Sequence, residues 1–196
     1  MRRGRASHNP CLLSESMQRR GTIKMKVLVA YTTKNGASYK CAEMLKNRLQ
    51  SFCDVDVVNL IEQTPAITGY DAVVAGGSIR MGLLNKKLRI FLRDNCAALS
   101  SLPCAVFICC GFTDNYVDYI ETQLPKELVC SLGTFNFGGE LKPENLHGFD
   151  RFMVKHMRSS IKFADIEDGP HDERPLPELV PENIDLLAGK IRALLG

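Results

Sequence analysis

Residues 26–38 read Lys-Val-Leu-Val-Ala-Tyr-Thr-Thr-Lys-Asn-Gly-Ala-Ser, and this stretch decides the fold. Its first six residues form a short apolar run with β-branched side chains, which is typical of a strand buried on both faces. Turn residues follow, and residues 37–50 then place apolar side chains at helical spacing. The stretch therefore predicts a strand, a tight loop and a helix, the first unit of a parallel α/β protein.

The same order of strand and helix recurs along the rest of the chain. Further strands are predicted at 54–59, 71–77, 103–110 and 128–138, the last interrupted by Gly133, and helices at 85–99, 115–124 and 182–195. This alternation predicts a doubly wound α/β fold, in which a five-stranded parallel sheet carries helices on both faces. The alternating pattern of 54–59 suits a sheet edge, and residues 140–181 form an insertion before the last helix.

Composition excludes several classes of protein. The chain has 196 residues, 45% of them hydrophobic, with 25 Lys+Arg against 22 Asp+Glu. These values predict one globular domain with no nucleic-acid partner. No apolar run approaches the roughly 20 residues that span a bilayer. Eight Cys are too few for a disulfide scaffold, so we expect free thiols and a cytoplasmic protein.

Residues 1–24 carry the positive charge of the chain. They hold six basic residues against Glu15, a net charge of +5, and residues 25–196 hold 19 basic and 21 acidic residues, a net charge of −2. The segment lacks the apolar core of a signal peptide. We expect a disordered basic leader before a folded domain at 25–196, and the alternative is a basic arm for anionic partners.

The loop after the first strand predicts a phosphate site. Thr33, Gly36 and Ser38 give the spacing T-x-x-G-x-S directly before a helix. Backbone N–H groups and hydroxyl side chains can converge on an anion there, and the glycine lets the backbone approach closely. The spacing matches neither G-x-G-x-x-G nor the Walker loop, which argues against a nicotinamide domain and a P-loop ATPase. A turn that only caps the helix is the alternative.

This loop, in this position, resembles the phosphate-binding loop of the flavodoxin family. The resemblance implies a flavodoxin-like sheet of strand order 2-1-3-4-5 with flavin mononucleotide (FMN) as the cofactor. It also implies that the loops after strands three and four flank the flavin ring. The expected cofactor-binding residues are Thr32, Thr33, Lys34, Asn35, Gly36, Ala37 and Ser38 at the phosphate, and Ser78, Ile79, Arg80, Met81, Gly82, Cys110, Gly111, Phe112 and Thr113 at the ring.

Two further stretches resemble one group of that family, the menaquinone-dependent protoporphyrinogen oxidases. Gly-Ser-Ile-Arg-Met-Gly at 77–82 resembles that group's loop after strand three. Gly-Gly-Glu-Leu at 138–141 and Asp-Arg-Phe-Met-Val-Lys at 150–155 resemble its fifth strand end and insertion. The resemblance implies an enzyme of heme biosynthesis that oxidises protoporphyrinogen IX with a quinone acceptor, with the flavin carrying the chemistry.

The chain departs from the family pattern at two points. That group tends to place an aromatic residue where this chain has Met81, and the chain contains no Trp to cover a flavin. Tyr39, Phe112 or Tyr116 would have to cover the ring instead.

The role of Arg80 and the kind of redox protein stay open. Arg80 could balance charge on the reduced flavin, hold a substrate carboxylate, or be a solvent-facing cation. The alternative to an enzyme is an electron carrier between protein partners. Low-potential carriers usually surround the flavin with acidic residues. The flanking residues here are basic and favour an enzyme: Lys34, Arg80, Lys86 and Lys87.

Two other features carry competing interpretations. Cys109 and Cys110 could form a redox pair, but neighbouring side chains of a strand point to opposite faces, which favours two buried free thiols. Residues 149–162 predict a basic amphipathic helix. Such a helix could contact the inner face of a membrane, where a quinone lies, or pack its apolar side on the domain.

Overall fold

The computed structural model describes residues 24–80, 82–111, 116–139 and 178–196. The strands are β1 (Met25–Thr32), β2 (Cys53–Asn59), β3 (Ala72–Arg80), β4 (Leu83–Leu84), β5 (Cys104–Cys109) and β6 (Gly133–Asn136). The helices are α1 (Ala37–Leu49), α2 (Lys86–Asp94), α3 (Cys96–Ser100), α4 (Tyr116–Gln123) and α5 (Pro181–Arg192), with a 3₁₀ turn at Ala193–Leu195. The expectations for residues 1–23 and 149–162 lie outside the described residues and stay predictions.

Five parallel strands form the sheet in the spatial order β2-β1-β3-β5-β6. Counted along the chain without the short β4, this is the order 2-1-3-4-5, so the predicted doubly wound α/β fold is confirmed. The strand β4 adds an antiparallel pair at the end of β3. The alternating strand β2 lies at the sheet edge, as its pattern predicts.

The side chains of β1 show why the central strands are apolar throughout. Val27 and Val29 pack with α1 and α5 on one face, whereas Leu28 and Ala30 pack with α2 and α3 on the other. All four are fully buried. A strand covered on both faces loses the polar alternation of an edge strand, because neither face meets water.

Two predicted elements differ from the observed ones. The single helix expected at 85–99 is divided into α2 and α3 at Asn95, whose side-chain amide donates to the carbonyl of Phe91 at 2.9 Å. The strand expected at 128–138 begins only at Gly133, which has a φ of +102°. Gly133 therefore starts the strand and does not interrupt it, since its left-handed backbone turns the chain into the sheet.

The ends of the sequence insertion lie beside each other. Gly138, just after β6, forms an isolated antiparallel bridge with Leu179, and the amide of Val180 donates to the carbonyl of Phe137 at 2.9 Å. Pro181 then occupies the first turn of α5, where its missing N–H costs nothing. Residues 138–139 and 178–180 thus lie beside each other at the carboxyl edge of the sheet.

Candidate functional site

The loop between β1 and α1 has the backbone geometry of an anion site. Gly36 precedes α1 in a left-handed conformation, with φ +87°, and its amide donates to Thr33 Oγ1 at 3.0 Å. A Cβ on Gly36 would meet no atom within 4 Å. Glycine suits this position because of its positive φ, and the expected close approach of the backbone to a phosphate stays a prediction.

The first turn of α1 is left open to an incoming anion. No side chain caps the helix, and its first turn contains no acidic residue. The first N–H groups of an α-helix lack intrahelical partners and carry partial positive charge. Lys34 is exposed in the loop directly before this helix start and adds a full positive charge.

Two buried hydroxyls of this loop have no proper partner. Thr32 is 1% exposed and Ser38 is fully buried, yet neither Oγ makes a hydrogen bond of acceptable geometry. The Ser38 hydroxyl also lies beside the Cys109 thiol. A buried hydroxyl without a partner costs about 1–3 kcal/mol, so such groups mark a place where a ligand completes the hydrogen bonds. Phosphate oxygens, which only accept, fit these two donors.

Close packing occurs at the neighbouring strand end. Thr32 pairs with Gly77 of β3 in the sheet register. A Cβ on Gly77 would overlap Thr32 Oγ1 and would lie 3.1 Å from Leu88 Cδ2. The absence of a side chain at Gly77 allows β3 to pack closely against β1, because it leaves room for the Thr32 side chain.

The segment expected as a loop after β3 is a β-hairpin. Ile79 pairs with Leu84 and Arg80 with Leu83, and Gly82 in the turn has a φ of +75°. Ser78, Ile79 and Arg80 are half-buried at the end of β3. Of the residues expected here, Met81 lies outside the described ones. The hairpin gives this side of the site a hydrogen-bonded backbone.

Asn136 organises the third strand end, and sequence reasoning missed it. Its Oδ1 accepts from the amides of Cys110 at 3.3 Å and Gly138 at 2.9 Å, and its carbonyl accepts from Asn183 Nδ2 at 2.6 Å. These bonds join the ends of β5 and β6 to the start of α5. The available signal was a lone polar residue between Phe135 and Phe137, where a buried strand should be apolar.

Gly111 and Gly139 lie against each other beside Asn136. A Cβ on Gly139 would lie 2.6 Å from the Gly111 amide nitrogen, so any side chain there would displace the loop after β5. Phe112 and Thr113, the other residues expected at the ring, lie outside the described residues. The described members of all three predicted groups thus come together at the carboxyl ends of β1, β3 and β5.

The two adjacent cysteines do not pair with each other. Cys109 packs on the α1 face and Cys110 on the α2 face. The Cys109 thiol donates to Cys41 Sγ at 3.7 Å, and this bond and burial raise the pKa of Cys109 well above its usual range. Both remain buried free thiols, as their strand position predicts.

The aromatic side chains near the site differ in exposure, and exposed basic side chains lie at this edge. Tyr39 is 47% exposed on α1, with its ring centroid 5.7 Å from that of Tyr31. Burial, followed by Glu62, raises the pKa of Tyr31, so its phenol stays neutral. Tyr116 instead packs against the α2-side core. Exposed basic side chains flank this edge at Lys34, Lys86 and Lys87.

The described residues contain neither a cluster of metal-ligating side chains nor a membrane-spanning helix. Within the part of the chain that the structure describes, no group of three or more His, Cys, Asp or Glu side chains could hold a metal ion. Among the described helices, none has the length and apolar character needed to cross a membrane.

Comparison with known structures gives remote likenesses. The rubredoxin:oxygen oxidoreductase of Desulfovibrio gigas is 12% identical, with a TM-score of 0.45 over 86% of this chain and 38% of that longer one. A flavodoxin from the domain Archaea is 16% identical, with a TM-score of 0.43 over 70% of this chain and 99% of that one. The chain spans well under half of the first of these proteins.

Comparison with known sequences gives nearer relatives. The flavodoxin domain family matches residues 28–165. The protoporphyrinogen IX dehydrogenase (quinone) of Escherichia coli strain K12 is 33% identical over 141 residues, which are 67% of this chain and 77% of that protein. The protein of the same name from Escherichia coli O157:H7 matches equally well. The resemblance expected from the sequence motifs is thereby confirmed, and the chain belongs to the flavodoxin domain family.

Proposed function

We propose that this chain binds FMN and oxidises protoporphyrinogen IX, passing the electrons to a quinone. One observation carries the cofactor: the buried hydroxyls of Thr32 and Ser38 have no acceptor of good geometry and lie beside an uncapped helix start. The oxidoreductase class is supported by family membership and by the name of the Escherichia coli relatives. The substrate and the acceptor rest on that name and on the motifs at 77–82 and 138–155.

The phosphate end of FMN is assigned to the loop at 32–38. The Thr32 and Ser38 hydroxyls would each donate a hydrogen bond to a phosphate oxygen, and the first N–H groups of α1 would add backbone donors. Lys34 would add charge from the solvent side. The flavin ring is assigned to the hairpin at 78–82 and to the loop at 110–113. When bound, FMN supplies the electron-transfer chemistry, and the protein supplies its position and its electrostatic surroundings.

The basic residues at this edge suit a substrate that carries carboxylates. Arg80 is half-buried at the end of β3, and its planar guanidinium group is of the kind that binds carboxylates in a bidentate manner. Lys86 and Lys87 begin α2, and both are exposed. Protoporphyrinogen IX bears two propionates, so this charge pattern favours the enzyme over a single-electron carrier between proteins.

The cofactor is tested first. We expect the purified protein to take up FMN with quenching of flavin fluorescence, and the doubly substituted Thr32→Val, Ser38→Ala variant to bind at least tenfold more weakly. Absence of binding by the unmodified protein, at FMN concentrations up to the millimolar range, would exclude the proposed cofactor.

The reaction is tested on the FMN-loaded protein under anaerobic conditions. We expect porphyrin fluorescence to appear when protoporphyrinogen IX and a soluble menaquinone analogue are both present, at a rate proportional to protein. Arg80→Lys, which keeps the charge and loses the bidentate fork, should raise the KM for the porphyrinogen more than it lowers kcat. A protein that binds FMN and exchanges electrons with a reductase, yet never accelerates porphyrin formation, is a carrier.

A further inference from the structure

A pair of thiols lies at the opposite end of the sheet from the candidate site. Cys104 begins β5 and is fully buried, whereas Cys130 is partly exposed in the segment before β6. The Cys104 amide donates to Ser131 Oγ at 3.2 Å, and its carbonyl accepts from the Leu132 amide at 2.9 Å. These backbone contacts hold the residues that follow Cys130 directly against Cys104.

The two thiols differ in their access to solvent. Cys130 lines an open groove of about 470 Å³, whose wall also includes Lys126 and Thr134. Cys104 lies behind it in the core that packs on α2 and α3. A small solute in the groove can therefore reach Cys130, whereas Cys104 is enclosed in the core.

Hydrogen bonding gives the two sulfurs different roles. The Cys104 thiol lies 4.0 Å from the carbonyl oxygen of Ala105, and a hydrogen bond between the Cys104 and Cys130 side chains lowers the pKa of Cys130. The same bond, followed by burial, raises the pKa of Cys104. The thiolate is the nucleophile in thiol chemistry, so the accessible residue of the pair is also the more reactive one.

We propose that Cys130 and Cys104 form a peroxide-reactive dithiol, in which Cys130 is oxidised first and Cys104 then closes an intramolecular disulfide. In the first step the Cys130 sulfur attacks a hydroperoxide, the O–O bond breaks, and an alcohol or water leaves, giving a sulfenic acid. In the second step the Cys104 sulfur attacks that sulfur, the S–O bond breaks and water leaves with the thiol proton. The two thiols lose two electrons in total, and the hydroperoxide gains two.

A second pair of neighbouring thiols, Cys41 and Cys109, shows why solvent exposure matters for reactivity. The sulfurs of Cys41 and Cys109 are 3.7 Å apart, but both side chains are enclosed between α1 and the sheet. Proximity alone therefore does not select a reactive pair. Cys130 lies near its partner and also lines an open groove, whereas neither Cys41 nor Cys109 is exposed to solvent.

The proposed dithiol is independent of the flavin. Cys104 begins β5 and Cys109 ends it, so about 17 Å of strand separate the dithiol from the candidate site. The disulfide would tie β5 to the segment before β6 and enclose α4. Failure of FMN binding would leave this proposal intact, and failure of this proposal would leave FMN binding intact.

The test uses the full chain, reduced and then treated with hydrogen peroxide at neutral pH. We expect the loss of two titratable thiols, a mass decrease of about 2 Da, and a peptide map that joins Cys104 to Cys130. Cys130→Ser should abolish this product. Cys104→Ser should leave a sulfenic acid on Cys130 that dimedone traps.

Cys96→Ser is the matched control, because Cys96 is a partly exposed thiol near the same end of β5. This variant should behave as the unmodified protein, and Cys130 should react at least tenfold faster than Cys96. Oxidation of Cys96 and Cys130 at equal rates, or a disulfide that excludes Cys104, would overturn the proposal. The peptide map of the unmodified protein tests the Cys104–Cys130 disulfide even where a variant folds poorly.

Discussion

The two ends of the parallel sheet satisfy their polar groups in opposite ways. Where the strands begin, the polar groups bind one another: Tyr70 donates to Asp56 at 2.8 Å, Lys26 pairs with Asp56 at 3.4 Å, and the Lys26 amide donates to Asp71 at 2.7 Å. Where the strands end, the hydroxyls of Thr32 and Ser38 are buried without a well-placed partner. Burial without a partner is costly, so this contrast favours the proposed ligand site at the carboxyl end and a stabilising role for the polar groups at the amino end.

Asn136 shows that other buried polar groups at the carboxyl end do have hydrogen-bond partners. It is buried in that same end, yet its Oδ1 accepts two backbone amides. Asn136 is thus fully engaged with the backbone around the site, whereas the phosphate loop holds two buried hydroxyls without a partner of good geometry. This contrast predicts separable effects: scaffold substitutions should cost stability, and loop hydroxyl substitutions should cost affinity.

The largest expected effect comes from Gly77→Val. The new side chain would overlap Thr32 Oγ1 and press on Leu88, which is fully buried. Overpacking of this kind costs about 1–3 kcal/mol, and more where backbone must move. We expect the free energy of unfolding to fall by about 3 kcal/mol in urea titrations, with loss of FMN binding.

Gly189→Ala is the control for that substitution. Gly189 lies in α5, and a Cβ there would meet no atom within 4 Å. An exposed helical glycine replaced by alanine should add up to about 1 kcal/mol of stability. If Gly77→Val were no more destabilising than Gly189→Ala, the close approach of β1 and β3 would be wrong.

Asn136→Ala should have the next largest effect. It leaves the amides of Cys110 and Gly138 without their acceptor in a buried place. We expect a loss of about 2–3 kcal/mol in the free energy of unfolding. Asn59→Ala is the comparison, because Asn59 also accepts a backbone amide, from Ile61 at 3.1 Å, but does so at the surface. A loss no greater than that of Asn59→Ala would contradict the bridging role of Asn136.

The sequence predicts the alternation of strands and helices, and the loop between β1 and α1, well because both depend on local patterns. The apolar runs of β1, β3 and β5 are continuous, and T-x-x-G-x-S lies where β1 meets α1. Asn136 and the Cys104–Cys130 pair were not predictable in the same way. Apart from Gly138, their partners lie 26 or more residues away along the chain, and only the packed sheet brings them together.

The hairpin after β3 was missed for a different reason. Ile79 and Arg80 continue the strand beyond its parallel pairing, and only two residues of β4 pair with them. So short a strand leaves no periodic signal. The turn glycine, Gly82, was visible, but a glycine-containing segment after a strand is equally typical of a loop.

Thr32→Val tests the contrast between the two ends directly. It removes a buried hydroxyl that has no well-placed partner, so the free energy of unfolding without FMN should stay equal or rise by about 1 kcal/mol. A hydrogen bond to a charged group is worth about 1.5–3 kcal/mol, so the Kd for FMN should rise roughly 10- to 100-fold. The measurement is a fluorescence titration beside urea unfolding.

Ser101→Ala serves as the control for Thr32→Val. The Ser101 hydroxyl donates to the Ala97 carbonyl at 2.9 Å, at the beginning of β5 and far from the loop. FMN affinity should be unchanged in this variant. A Thr32→Val protein that loses stability and keeps its affinity would show that the hydroxyl serves the fold, and the contrast between the ends would fail.

The smallest expected effect belongs to Tyr70 at the amino end. Burial first, and then the hydrogen bond to Asp56, raises the pKa of Tyr70 from 10.0 to about 12. The folded protein therefore holds this proton more tightly than the unfolded chain. Its contribution to stability is complete below pH 10 and is lost as the pH rises from 10 towards 12. Because the phenol is partly solvated, we expect about 1 kcal/mol at most.

Tyr70→Phe isolates that contribution from those of the other groups that titrate at alkaline pH. Urea unfolding of both proteins at pH 9 and pH 11 should give a difference in stability that shrinks at the higher pH. The substitution also removes the Tyr70 donor from Asp56, which keeps its contact with Lys26, so the variant itself should lose little at pH 9. A difference that grew with pH would mean that Tyr70 ionises more easily in the fold, and the polar groups at the amino end would not be mutually satisfied.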